Sequence, residues 1–293
     1  MPLASERIPP APYREYRLRA PLSQFVECVW FLFAPARAAG APPERILPDG
    51  CVEVVVQLAG RTRASRGGGP FVLQPSAFVV GPFASPLLLE PVGALETLGI
   101  RFRPGGASPF LPLPVDLLLG VDLEIDLAFG RTGTELVERL RVPGAISDLS
   151  RVRLVEEFLL ARLRGRIGGD GRRSPVAGAV SRMLSIPRYS VSRIARECGR
   201  STRQVERYFR AEVGLPPRLL GRLIRFQRVL RAAAERETPW ISVALDCGYA
   251  DQAHLIRDFR EFAGQTPAAY VREDAGMGAA FLTPERLDGF FGT

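Results

Sequence analysis

The sequence predicts an α+β protein with two domains: a β-rich, barrel-like N-terminal domain with helices attached, then an all-helical domain of two helix-turn-helix units joined by a long helix. Three observations predict this. Short apolar runs separated by glycine and proline fill residues 12 to about 105. A segment beginning near residue 190 recurs about 50 residues later. Positive charge gathers in the last third of the chain.

The N-terminal runs come first. Cys28 to Phe33 is apolar and aromatic, and Cys51 to Leu58 is rich in valine and follows the turn Leu47-Pro48-Asp49-Gly50. Further runs at Phe71–Leu73, Phe78–Val80, Leu87–Leu89 and Leu95–Phe102 continue the pattern. Many short strands punctuated by turn residues suit a small barrel or sandwich. Residues 107 to 166 read as helical. Leu149, Val152, Val155 or Glu156, Leu159 and Leu163 form a stripe along a helix from about Asp148 to Arg164. That stripe fits a dimer contact or packing onto its own barrel. The glycine- and arginine-rich stretch Gly165–Ser174 is the best boundary. It divides the chain into 1–166, a linker at 167–174, a helical domain at 175–273 and a tail at 274–293.

The repeat is specific. Ile194-Ala195-x-x-x-Gly199 returns 49 residues later as Val243-Ala244-x-x-x-Gly248. After a one-residue insertion, Val205, Arg207, Phe209, Gly214 and Pro217 are matched by Leu255, Arg257, Phe259, Gly264 and Pro267. In the first copy Ser190 caps a helix Val191–Glu197, Gly199 ends it, and Ser201 or Thr202 caps the next. Val205, Tyr208 and Phe209 at i, i+3, i+4 face inward, and Thr202, Arg203, Glu206 and Arg207 face outward. Short helix, glycine turn and second helix make a helix-turn-helix. In the second copy Thr238-Pro239 starts the first helix and Asp251 caps the second. There Leu255 and Phe259 point inward, and Gln252, Ala253, Ile256 and Arg257 lie on or near the outward face. Between the copies, Leu220, Leu223, Ile224, Gln227, Leu230 and Ala234 predict a helix over Leu219–Glu235. Its length of roughly 26 Å, with the widths of the flanking units, suits two major grooves about 34 Å apart on one side of a duplex.

Residues 175–273 resemble the AraC/XylS family of bacterial transcription regulators. The resemblance rests on Gly248-Tyr-Ala-Asp-Gln-Ala-His-Leu-Ile-Arg-Asp-Phe259, Gly264-Gln-Thr-Pro267 and Tyr270. Two positions depart from the family pattern: Ala250 stands where serine is usual, and Arg200 where the first unit usually has an aromatic. The N-terminal half resembles the cupin-like sensor domains attached to many of these regulators. Ile46-Leu-Pro-Asp-Gly-Cys51 and Phe102-Arg-Pro-Gly-Gly106 look more narrowly like a poorly characterised domain often paired with this helical unit. The resemblance implies a sequence-specific regulator that binds double-stranded DNA. Its further implied partners are a small-molecule effector, RNA polymerase and a second copy of the chain. Mapped residue by residue, the family's recognition positions fall on Thr202, Arg203, Glu206 and Arg207, and on Gln252, Ala253, Ile256 and Arg257. Arginine reads guanine, Glu206 cytosine and Gln252 adenine, while Ala253 and Ile256 offer apolar contact to thymine methyls. The first unit is therefore expected to supply more base specificity.

Charge agrees. Residues 171–273 hold 19 arginines against 10 acidic side chains, a net of +9, while the whole chain carries +8. The footprint suits a phosphate backbone. Every basic side chain is arginine, which tracks a composition rich in alanine, glycine and proline and says little about function.

Other classes fit poorly. The single histidine, His254, lies in the second unit, where it reads equally as a structural residue or a phosphate contact. A histidine-based metal site in the barrel and a serine-type triad therefore lack their ligands or base. The four cysteines, Cys28, Cys51, Cys198 and Cys247, form no Cys-x-x-Cys pair. No metal, cofactor or enzymatic activity is expected. A methyl-accepting thiol at Cys51 is the enzymatic alternative. A ligand- or partner-binding module with nonspecific DNA affinity is the non-enzymatic one. Asp49, Glu53, Arg101 and Arg103 could touch a ligand, with buried ion pairing or simple solvation the favoured reading for each. No run reaches transmembrane length and no signal-peptide pattern opens the chain, so a cytoplasmic location without a membrane partner is expected.

Overall fold

The computed structural model describes residues 13–38, 40–142, 146–167, 175–186, 189–234 and 240–272. The anticipated linker, the tail and the Thr238-Pro239 helix start lie outside them, apart from Ile167 at the edge of the linker.

The N-terminal half is one antiparallel sheet with helices. Its strands are β1 (Tyr13–Tyr16), β2 (Val26–Ala34), β3 (Glu44–Ile46), β4 (Glu53–Arg66), β5 (Val72–Leu73), β6 (Ala77–Val80), β7 (Leu87–Phe102) and β8 (Asp122–Glu124). They run in the order β1-β2-β7-β4-β6-β8, with β3 on β7 and β5 on β4. The β4–β7 ladder sets the register, from Glu53 opposite Arg101 to Arg66 opposite Leu87. β2 lies on the other side of β7 and pairs Trp30 with Gly99. A Cβ at Gly99 would stand 2.0 Å from the Trp30 ring, so only glycine lets the indole lie flat on the sheet. Both faces of β2 are covered. Val29 and Phe31 enter the main core, and Cys28, Trp30 and Leu32 a smaller one.

Three helices follow: α1 (Ile125–Phe129), α2 (Arg131–Leu140) and α3 (Asp148–Ile167). The expected helix does not extend back to residue 107. Residues 107–124 hold turns, a 3-10 turn at Val115–Leu118 and strand β8. Pro109, Pro112 and Pro114 remove backbone donors and break any helix there. In α3, Val152, Val155, Leu159 and Leu163 are buried in the domain's own core, while Leu149 is 58% exposed. The stripe therefore packs onto the sheet.

The C-terminal half is all helix: α4 (Pro175–Ser185), α5 (Val191–Glu197), α6 (Thr202–Val213), α7 (Pro217–Ala234), α8 (Trp240–Asp246), α9 (Gln252–Ala263) and α10 (Pro267–Arg272). Ser190 caps α5 by accepting from the Arg193 amide. Ser201 and Gln204 form a reciprocal capping box on α6, and Asp251 caps α9 at 2.7 Å from the His254 amide. Gly214 and Gly264 end α6 and α9 in the left-handed conformation. Val205 and Phe209 from α6, and Leu255 and Phe259 from α9, are buried around α7 as the repeat predicts.

The two halves share a core. Leu47 and Cys51 of the Pro-Asp-Gly turn join the helical cluster. Gly50 (φ +81) sits so close that an added Cβ would lie 2.9 Å from Leu220 Cδ1. Buried Gln227 of α7 donates to the Pro48 carbonyl at 2.8 Å. An apolar stripe carrying one glutamine thus satisfies that polar group across the domain seam.

Candidate nucleic-acid interface

Two helices present the candidate residues. On α6, Thr202, Arg203 and Arg207 are exposed and Glu206 is half-buried. The Arg207 guanidinium lies 5.5 Å from the Tyr208 ring centroid, which steadies its stem without using its donors. On α9, Gln252, Ala253 and Arg257 are exposed, but Ile256 is half-buried and packs against the core cluster. Each helix is held by its cap at one end and its left-handed glycine at the other. The outward face is thereby fixed while its side chains remain in solvent.

The two units are braced differently. On α9, Asp258 turns inward beside Phe259 and is 2% exposed. Arg222 of α7 donates to it from Nε at 3.1 Å and from Nη2 at 2.8 Å, and also pairs with Glu261. These carboxylates hold the Arg222 guanidinium above its ordinary range. His254 lies edge-on to Tyr249, with ring centroids 5.2 Å apart and its Nε2 4.0 Å from Asp258. Burial, the largest cause, pushes the Tyr249 hydroxyl well up. In the first unit the position matching Asp258 is Tyr208, and the bracing is outside the core. Arg182 and Arg193 both pair with Glu197, which also accepts from Tyr189 and ties α4 to α5. The inward carboxylate was the missed residue. Its signal is an acidic group between two apolar inward positions, Leu255 and Phe259.

The first unit also meets the sheet domain. The 3-10 turn packs on α6, and a groove of about 450 Å3 opens between them. Asp116 and Leu117 line one wall, and Arg203, Glu206, Arg207 and Arg210 the other.

Of the charged residues singled out in the N-terminal half, Asp49, Glu53 and Arg101 form an ion cluster with Glu27. Buried Arg101 donates to Glu27 at 3.1 Å and pairs with Asp49 and Glu53, while Arg103 donates to the Ser23 carbonyl. Cys51 lies beside this cluster, and burial pushes its thiol well up despite the nearby Arg101. Among the described residues no group of His, Cys, Asp or Glu could hold a metal. No described helix is long and apolar enough to cross a membrane.

The fold and this paired outward face define a protein with a helix-turn-helix domain. Residues 180–273 match the model of a helix-turn-helix domain, and residues 14–124 match that of a domain of unknown function, DUF6597. The chain thus joins a poorly characterised sheet domain to an AraC-type helix-turn-helix domain, the domain of a DNA-binding transcription regulator. No curated protein matches the chain. Among solved structures, ToxT from Vibrio cholerae (P21 form) aligns at 10% identity and TM-score 0.45, covering 82% of this chain and 97% of that one. ToxT from Vibrio cholerae O395, bound to (E)-4-(8-methylnaphthalen-1-yl)but-3-enoic acid, aligns at 12% identity and TM-score 0.43, covering 82% and 98%. The AraC-like transcriptional activator CuxR aligns at 16% identity and TM-score 0.31, covering 77% and 82%.

Proposed function

We propose that the chain binds a specific DNA sequence through both units, with α6 and α9 entering successive major grooves. The observation that carries this reading is the pair of capped helices flanking one rigid connector, each with hydrogen-bonding side chains left in solvent. Arg203 and Arg207 read guanine, Glu206 cytosine and Gln252 adenine. Arg257 is the second unit's counterpart of Arg207. Thr202 contacts backbone or base, and Ala253 offers a thymine methyl an apolar surface. Ile256, half-buried in the core, contributes least. The first unit accordingly carries more base specificity. An effector acting through the N-terminal domain belongs to the same reading. Its support is the seam in which the Pro-Asp-Gly turn enters the helical core.

Random-sequence selection with the purified full chain tests the proposal. The expected result is an enriched motif of two segments about 10 base pairs apart. Recovery of sequences with no shared motif would reduce the chain to a nonspecific phosphate binder. A salt titration cannot distinguish these outcomes, because both forms release counterions.

A further inference from the structure

We propose that the N-terminal domain gates the first helix-turn-helix unit: the 3-10 turn Val115–Leu118 stands beside the reading face of α6, and α6 enters a major groove only after that turn withdraws. The proposal rests on the assignment of α6 as a base-reading helix.

The turn is seated at two places. At the end of α6, an added Cβ on Gly214 would lie 2.9 Å from Val115 Cγ1, 3.0 Å from the Val115 carbonyl oxygen and 2.7 Å from Pro82 Cγ. Along the helix, Asp116 and Leu117 face Arg203, Glu206, Arg207 and Arg210 across the groove. These four side chains span two helical turns, roughly 10 Å at 1.5 Å per residue. A major groove is about 12 Å wide, and a helix with its side chains is about 10–12 Å across. No room remains for a second element alongside α6. The phosphates that would wall the groove would also meet the carboxylate of Asp116, which repels them. Leu117, 67% exposed, would be pressed against the same charged backbone.

The second unit is placed differently. The sheet domain approaches it at the far end of α9, where an added Cβ on Gly264 would lie 3.7 Å from Pro86 Cγ. Gln252, Ala253 and Arg257, near the start of α9, are exposed. The closed chain therefore offers DNA one reading helix; the free chain also opens at the seam and then adds the other, so that both segments are selected unless the seam is held shut.

A reversible tether tests this. Leu117→Cys and Ala211→Cys, introduced with Cys198→Ser, place one thiol on each wall of the groove and remove the half-buried native thiol. A short disulfide-containing bis-maleimide then joins them, and binding is read by footprinting on the site selected with the full chain. The tethered chain is expected to protect only the second unit's segment and to bind at least about tenfold more weakly. Reductive cleavage of the tether should restore both segments. Protection of both segments by the tethered chain overturns the gate, as does a loss that persists after cleavage. A full chain that selects no site at all overturns the DNA reading itself, and the gate with it; the untethered double-cysteine chain should bind the selected site as the unmodified chain does, which shows that the substitutions leave the fold intact.

Discussion

The two helix-turn-helix units share caps, turn glycines and inward aromatics, yet different contacts hold them in place. The second carries its brace inside, as the buried Asp258 bound by Arg222 of the connecting helix. The first has Tyr208 at that position, and at its Gly214 end it leans on Pro82 and Val115 of the sheet domain. A unit braced by an ion pair within the helical domain asks less of the neighbouring domain. A unit that borrows its support can be controlled by the domain that lends it. The repeat thus conserves geometry while dividing stability from regulation.

The sharpest way to break this comparison is to remove the internal brace. Asp258→Ala leaves Arg222 without its buried acceptor and should cost about 3 kcal/mol, the low end for a broken buried pair because Glu261 still holds the guanidinium. Tyr208→Ala, at the matching position, should cost about 1 kcal/mol, since its half-buried ring loses only part of its packing. Chemical denaturation of the full chain measures both. Equal losses would show that the units are braced alike.

Arg207→Ala and Arg257→Ala compare the units in binding. Arg207→Ala should lower affinity for the selected site by about 2 kcal/mol and relax preference at one position of the first segment. Arg257→Ala should weaken binding with a smaller change in preference, because its neighbours Ala253 and Ile256 read little. Unchanged affinity and sequence preference for Arg207→Ala would remove it from the interface.

The seam itself can be loosened. Gly50→Ala forces a side chain into the left-handed region and toward Leu220, and should destabilise the chain by about 1–2 kcal/mol. Its footprint on a selected site should then extend over the first segment at lower protein concentration. Loss of stability with no change in the footprint would separate docking from gating.

What was legible in the sequence followed chain distance. Ser190, Ser201 and Asp251 act on amides three residues away, so their caps could be read from neighbours alone. The inward stripes of α6 and α9 were legible because a helix repeats its faces every few residues. Strand β8 was not, since three residues show no periodicity and its partner β6 lies some 40 residues earlier. The seam was hidden for the same reason. Gln227 and Pro48 are 179 residues apart, and only the polar residue in an apolar stripe signalled a partner to be found. The α3 stripe fitted two partners equally, and only the fold shows it against its own sheet.

The smallest effects belong to the caps, and they sharpen the comparison further. Ser201 works as a neutral box: its hydroxyl accepts from the Gln204 amide at 3.3 Å, and Gln204 Oε1 accepts in return from the Ser201 amide at 3.0 Å. Asp251 works alone but carries charge, so it also meets the positive end of the α9 dipole. Each change to alanine should cost about 1 kcal/mol. Asp251→Ala should cost a few tenths more at low salt, because the dipole contribution is lost with the carboxylate. Added salt should shrink that excess and leave the Ser201→Ala cost unchanged, as measured by denaturant midpoints at two ionic strengths. A salt-independent difference would mean that hydrogen-bond geometry alone separates the caps, and that the charge of Asp251 contributes nothing to holding α9 in its reading position.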